Sequence, residues 1–198
     1  MIRRNLAEGI IYVENFLSDE EIKVLQDFCK SPEEWGSIPS WDSESLWKNN
    51  TKHVASSQAA TMALYKVNIA MGELVNSDLS VHRPNYTINR FTTESSPNIE
   101  GSTFWDDEEW SMYPHYDSDY GPLDDDSRIT HGALFYINDD YEGGELVYTE
   151  KDITFSPKAN TLIVHGGAKE FTHGVKRVTS GERYTLSTFA FTAGSIYV

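Results

Sequence analysis

From Tyr86 onward the 198-residue chain breaks into short apolar runs separated by turn residues, and this punctuation constrains its fold more than any other feature. Strand-like runs fall at 87–91, 112–117, 131–138, 145–148, 161–164, 171–178 and 183–192. Between them lie Asp124-Asp125-Asp126-Ser127, Asn138-Asp139-Asp140, Gly143-Gly144, Ser156-Pro157 and Ser180-Gly181. Runs this short need two packed layers to bury their apolar face. The predicted class is α+β, mainly β: a double-stranded β-helix, or jelly-roll, core with N-terminal helices packed outside. No repeat or linker divides the chain, so 1–198 reads as one domain, helical over about 14–80 and β over about 86–192.

The helical part is signalled locally. After a short strand at 10–13, Ser18-Asp19-Glu20-Glu21 forms a capping box, with Ile22, Leu25, Phe28 and Cys29 at helical spacing behind it. That helix should run 19–30 and stop at Ser31-Pro32. Cys29 on this face reads as core. A second helix is expected over 56–76, with Ala60, Leu64, Val67, Met71 and Leu74 on one face. Between them, Trp35, Trp41 and Trp47 sit in an irregular stretch. A long loop at 92–111 carries Trp105 and Trp110 around four acids and reads as a substrate lid.

Charge and composition exclude some classes. A formal charge of −15 repels phosphate backbones, so nucleic acid is not an expected partner. No apolar run approaches the roughly 20 residues of a membrane span. Residues 1–9 lack an apolar signal core and Cys29 is the only cysteine, so a cytoplasmic location is expected.

The chemistry is carried by His115-Tyr116-Asp117. Residues two apart on a strand share a face, so His115 and Asp117 should point the same way. His131, His165 and His173 are the downstream candidates for a third ligand, with His165 set beside Gly166-Gly167 where the backbone bends. Ten residues after them stand Tyr141, Val175 and Arg183, and only the last is a cation. A hairpin through Thr179-Ser180-Gly181-Glu182 should pair 171–178 with 183–192 and bring His173 close to Arg183. Two histidines and one carboxylate on one side of a metal leave positions open, the arrangement of non-haem Fe(II) oxygen chemistry. A buried Arg183 beside Thr185 and Ser187 would require an anion, which a guanidinium grips at two points. The plainer alternative pairs Arg183 with a surface acid such as Glu182.

These residues, with Ala133-Leu134-Phe135-Tyr136-Ile137-Asn138, Glu142-Gly143-Gly144-Glu145-Leu146, His173-Gly174-Val175 and Gly181-Glu182-Arg183-Tyr184, resemble the prolyl 4-hydroxylase-like group of Fe(II)/2-oxoglutarate-dependent dioxygenases. The opening Val13 to Glu21 is similar to that group's entry segment. The resemblance implies that His115, Asp117 and His173 are the catalytic metal ligands for Fe(II). It implies 2-oxoglutarate as cosubstrate, with Arg183 holding its distal carboxylate, Tyr136 adding a hydroxyl hydrogen bond and Thr185 a further candidate for that role. Dioxygen is the second cosubstrate, and ascorbate a candidate addition. The expected reaction hydroxylates a prolyl residue in a peptide or protein and turns 2-oxoglutarate into succinate. One position departs from the group: the strand before the triad often ends there in Tyr, and here in Phe91, with Tyr113 two residues before His115. The alternatives are the same chemistry on another side chain or a small metabolite, and a cupin-like metal-binding module. The module has no need of a cation at position 183.

Overall fold

The computed structural model describes residues 2–31, 35–36, 51–95, 109–120 and 129–192. Trp41, Trp47, the turn at 124–127 and most of the loop at 92–111, Trp105 included, lie outside the described residues. The described elements run β1 (Ile2–Ala7), β2 (Ile10–Glu14), α1 (Asp19–Cys29), β3 (Thr51–His53), α2 (Gln58–Val75), β4 (His82–Phe91) and β5 (Trp110–His115). They continue with β6 (Ile129–Tyr136), β7 (Glu142–Gly143), β8 (Leu146–Tyr148), β9 (Ile153–Phe155), β10 (Thr161–Gly166), β11 (His173–Lys176), β12 (Val178–Ser180) and β13 (Arg183–Phe191).

Two sheets make the jelly roll. The major sheet has the order β1-β2-β10-β6-β13-β4-β3 and the minor sheet β5-β11-β8-β9, with β7 and β12 paired at one side. Period-2 alternation sorts the central strands between two cores. Even residues of β13 (Tyr184, Leu186, Ala190), with Ala133, Phe135, Leu162 and Val164, face outward onto Leu25 and Phe28 of α1 and Leu64, Val67 and Met71 of α2. Tyr136, Ile163, Leu146, Tyr148 and Phe171 fill a second cluster between the sheets. Arg183, Thr185 and Ser187 share the inward face of β13 and are buried.

The helices sit where the sequence puts them. Ser18 Oγ accepts from Glu21 N, and the Glu21 carboxylate accepts from Ser18 N, so the capping box is complete. The last turn of α1 has no basic residue of its own. Lys52, 3% exposed, supplies the charge from outside. Its ammonium donates to Phe28 O at 3.0 Å, Ser31 O at 3.2 Å and Ser31 Oγ at 3.1 Å, over the Trp35 ring. It neutralises the negative end of the helix dipole in a dry setting. Lys52→Met keeps the stem and strands those carbonyls. It should destabilise the fold by about 2–3 kcal/mol, read as a lower urea midpoint, since hydrogen bonds to a buried charge are worth this much. An unchanged midpoint would mean that solvent already serves those carbonyls.

Three expectations change. Strand β1 has no sequence signal, because Ile2 to Leu6 are all exposed on a sheet edge and show no alternation. The run 171–178 is two strands in different sheets, β11 and β12. The hairpin expected to pair His173 with Arg183 therefore does not form. β11 pairs with β5 and β8, whereas β13 pairs with β4 and β6, so the two residues sit in different sheets. The turn itself is real: Gly181 adopts φ 77°, and it joins β12 to β13. Among the described residues no helix is long and apolar enough to cross a membrane.

Candidate active site

His115 is the last residue of β5, and Asp117 opens a 3₁₀ turn over Asp117–Tyr120 rather than sharing the strand. The strand-face argument for the pair is corrected accordingly. What aims Asp117 inward is the turn, pinned by Ser118, whose amide and hydroxyl both donate to Gly167 O at 3.0 and 2.8 Å. His173 begins β11 directly opposite His115 in register. The ligand-type atoms of His115, Asp117 and His173 all lie within 4.8 Å of one another.

Local hydrogen bonds decide which ring nitrogen faces the centre. His115 Nδ1 is 2.8 Å from Tyr113 O, and His173 Nδ1 is 3.0 Å from Phe171 O. A carbonyl only accepts, so each Nδ1 carries the proton and each Nε2 presents a lone pair. Both Nε2 atoms lie 4.0 Å from Asp117 Oδ1. Asp117 is itself 6% exposed, and its Oδ2 has no hydrogen-bond partner. Two lone pairs and a buried carboxylate thus converge with no proton between them. A cation satisfies that set, and the backbone-fixed tautomers are the usual support for metal-binding imidazoles.

Burial holds His173 and His165 neutral. It lowers His173 to about 3, helped by the neighbouring His165 and His115, and lowers His165 to about 4. An unfolded histidine titrates near 6.5. The contribution of both groups to metal-free stability is therefore present above pH 6.5 and is lost as pH falls from 6.5 towards 4, the window in which only the unfolded chain takes up protons. Chemical denaturation at a series of pH values should show the midpoint falling steadily below pH 6.5. A midpoint flat down to pH 4 would contradict neutral burial.

The second half of the pocket is built around Arg183, 2% exposed. Its Nη2 donates to Tyr136 Oη at 2.9 Å, its guanidinium lies over the Tyr136 and Phe91 rings, and its Nε has no hydrogen-bond partner. No carboxylate among the described residues pairs with it. Glu182, the surface acid that could have done so, instead pairs with Arg90 at 3.3 Å and accepts from the Tyr184 hydroxyl. Asn138 grips the backbone on both sides of the arginine, accepting from Tyr184 N at 2.8 Å and donating to Glu182 O at 2.7 Å. Gly143 and Gly144 hold φ of 70° and 67°. A Cβ on Gly143 would lie 2.1 Å from Arg177 O, and one on Gly144 would lie 3.2 Å from Arg183 Cδ. Glycine is what lets this backbone cross the arginine.

Thr185 is buried beside Tyr136 in the β13–β6 register. Phe91 pairs with Arg183, so the aromatic wall at this position lacks a hydroxyl. Tyr113 contributes its carbonyl to His115. Two tyrosines were not singled out from the sequence as site residues. Tyr148 brings a buried hydroxyl without a hydrogen-bond partner and packs on His173, and Tyr141 stands with Arg183 around Gly144. His165, weighed from the sequence as a third ligand and set aside for want of a cation ten residues on, lies against His173, on the side of β10 that it shares with Thr161 and Ile163. The unbonded Nε of the buried Arg183 guanidinium and the Tyr148 hydroxyl form a seat for a small carboxylate-bearing molecule, and Tyr148, packed on His173 and clustered with Tyr136, joins that seat to the metal-type cluster.

Comparison with known proteins agrees with this geometry. The sequence pattern of the 2OG-Fe(II) oxygenase superfamily matches residues 107–191. Over those residues the chain is similar to 2OG-Fe(II) oxygenases. Human prolyl 3-hydroxylase 2 is 39% identical over 72 residues, which is 34% of this chain and 10% of that protein. The match thus spans about a tenth of that relative's length. Among solved structures, the viral collagen prolyl hydroxylase of Paramecium bursaria Chlorella virus-1, in a 2OG complex, superimposes with a TM-score of 0.61 at 18% identity, covering 93% of this chain and 96% of that one. A Pseudomonas putida prolyl-4-hydroxylase superimposes with a TM-score of 0.61 at 17% identity, covering 94% of each chain. At such identities the structures speak for the fold.

Proposed function

We propose that the protein hydroxylates a prolyl residue in a peptide or protein, coupled to decarboxylation of 2-oxoglutarate to succinate. The observation that carries this reading is the buried, carboxylate-free Arg183 beside the proton-free convergence of His115, Asp117 and His173. The likeness to prolyl 3-hydroxylase 2 and to two structures named prolyl hydroxylases supports proline as the target. His115, Asp117 and His173 would hold Fe(II). Arg183, Tyr136 and Thr185 would hold the distal carboxylate of 2-oxoglutarate. When bound, Fe(II) with 2-oxoglutarate and dioxygen supplies the oxidising power that inserts one oxygen atom into a C–H bond.

The chain's own residues do the rest. Carbonyls of Tyr113 and Phe171 keep the histidine lone pairs inward. Arg183 fixes the cosubstrate by charge-assisted hydrogen bonds and makes its reacting end point at the triad. Tyr148, Phe91 and Tyr136 wall the pocket and exclude water. The reading takes 1–198 as a single domain, supported by α1 and α2 packing on the same sheet that carries Arg183. The lone, buried Cys29 supports a reducing compartment such as the cytoplasm.

The test is an assay with Fe(II), 2-oxoglutarate, dioxygen and ascorbate over a panel of proline-containing peptides. Mass spectrometry should find one added oxygen atom on proline, matched by succinate. Succinate release stimulated only by other side chains or small metabolites would move the substrate class. No succinate under any condition would remove the assignment.

A further inference from the structure

Asn89 carries an amide nitrogen that the fold leaves without a partner. The residue is 7% exposed on β4, between β13 and β3 of the major sheet, where a leucine would need no partner at all. Register puts it on the site's side of that sheet. Asn89 stands opposite Thr185 of β13, and Thr185 opposite Tyr136 of β6, so the three share one inward row. Phe91 and Arg183 form the row on one side of it. In the other direction along β13, Phe189 pairs with Gly132, where a Cβ would lie 2.3 Å from Asp117 Oδ2. A ligand gripped by Arg183 and extended towards the triad therefore passes the Asn89 row.

Thr87, two residues back, fixes how the carboxamide is turned. Its hydroxyl lies 2.7 Å from Asn85 Oδ1 and 3.4 Å from Asn89 Oδ1, so the oxygens of both amides face it. The Asn85 nitrogen then donates to Ser187 Oγ at 3.2 Å. The Asn89 nitrogen, turned away from Thr87, makes no hydrogen bond among the described residues, and neither does the Thr185 hydroxyl opposite. A primary amide has two N–H donors, and leaving them buried and unpaired costs folding energy that an arriving acceptor would restore. The pocket also has a gap of the matching kind. Phe91, which pairs with Arg183 two residues further along β4, is an aromatic wall without a hydroxyl.

Resting on the reading of 2-oxoglutarate as cosubstrate, we infer that Asn89 is a cosubstrate-binding residue: its carboxamide donates to an oxygen of 2-oxoglutarate on the triad side of the Arg183 grip, in place of the hydroxyl that Phe91 lacks. Donors then meet the dianion from two strands, β13 and β4. A grip at the distal end alone leaves the molecule free to roll about its long axis, and a second donor from the side removes that freedom.

The test reads binding without turnover, by calorimetric titration of 2-oxoglutarate into the Zn(II)-loaded protein. Asn89→Leu should raise the dissociation constant by roughly 5- to 150-fold, the range for stranding one buried hydrogen-bond partner. Its thermal midpoint without 2-oxoglutarate should be equal to or above wild type, because the variant removes a buried unpaired donor. A lowered midpoint overturns the inference and assigns Asn89 to the fold. Adding Phe91→Tyr to Asn89→Leu should recover most of the affinity, and a double variant that binds no tighter than Asn89→Leu overturns the role. A Leu variant with wild-type affinity does the same. An independent reading is taken on the wild type: the ¹⁵N–H signals of the Asn89 side chain should shift when 2-oxoglutarate is added, and unmoved signals overturn the contact. Arg183→Ala separates the two levels. Affinity lost there but intact in Asn89→Leu overturns this inference alone, whereas affinity unaltered in both overturns the anion seat on which it rests.

Discussion

Replacing Arg183 by Ala is expected to raise the 2-oxoglutarate concentration needed for half-maximal succinate release by roughly 30- to 5,000-fold, corresponding to about 2–5 kcal/mol for truncating one partner of a desolvated charge pair. The size of the effect follows from burial. Arg183 is 2% exposed and already holds Tyr136 Oη, so the carboxylate it lacks must come from a ligand. Water cannot substitute cheaply in a pocket walled by Phe91 and Tyr136. Maximal turnover at saturating cosubstrate should fall less, because the arginine would grip the distal end of the cosubstrate and acts through affinity and orientation. An unchanged 2-oxoglutarate requirement would place the anion seat elsewhere.

The second large effect is expected at His173. His173→Ala should reduce succinate formation to background and abolish metal binding, measured by equilibrium dialysis on the same samples. The residue is buried, its Nδ1 is committed to Phe171 O, and its Nε2 is one of three convergent donors. Removing one donor of three leaves a carboxylate and a single imidazole, which seldom hold a divalent iron against water. Far-UV circular dichroism should stay native, since β11 keeps its pairing with β5 and β8 through backbone bonds. Metal binding equal to wild type would show that the ion, if present, sits at other residues.

The legible parts of this chain are those whose cause is local. The capping box of α1 is written in four consecutive residues and forms as read. The inward phase of Arg183, Thr185 and Ser187 follows from period-2 alternation alone, and all three are buried. The illegible parts depend on which sheet a strand joins. His173 and Arg183 are separated by a genuine tight turn at Gly181, yet β12 intervenes and pairs with β7, and the chain changes sheets. A jelly roll places successive strands in opposite layers, a long-range fact that no short window carries. His115 and Asp117 were paired for a reason that does not hold, because the strand ends at His115 and a 3₁₀ turn delivers Asp117 instead. His165 failed the test of a cation ten residues on, and the structure leaves it outside the three-residue cluster.

The anchoring of the three side chains has a mechanical consequence. His115 and His173 belong to the minor sheet, while Asp117 is tethered through Ser118 to Gly167, itself bonded to Thr130 near the start of β6 in the major sheet. An ion gripped by all three would be a rivet between the layers, added to the hydrogen bonds that Ser118 makes to Gly167. Its binding energy is then spent on keeping the sandwich shut. The catalytic mouth and the seam of the fold are the same place, so losing the ion should loosen the jelly roll at its open end before the helix-backed sheet gives way.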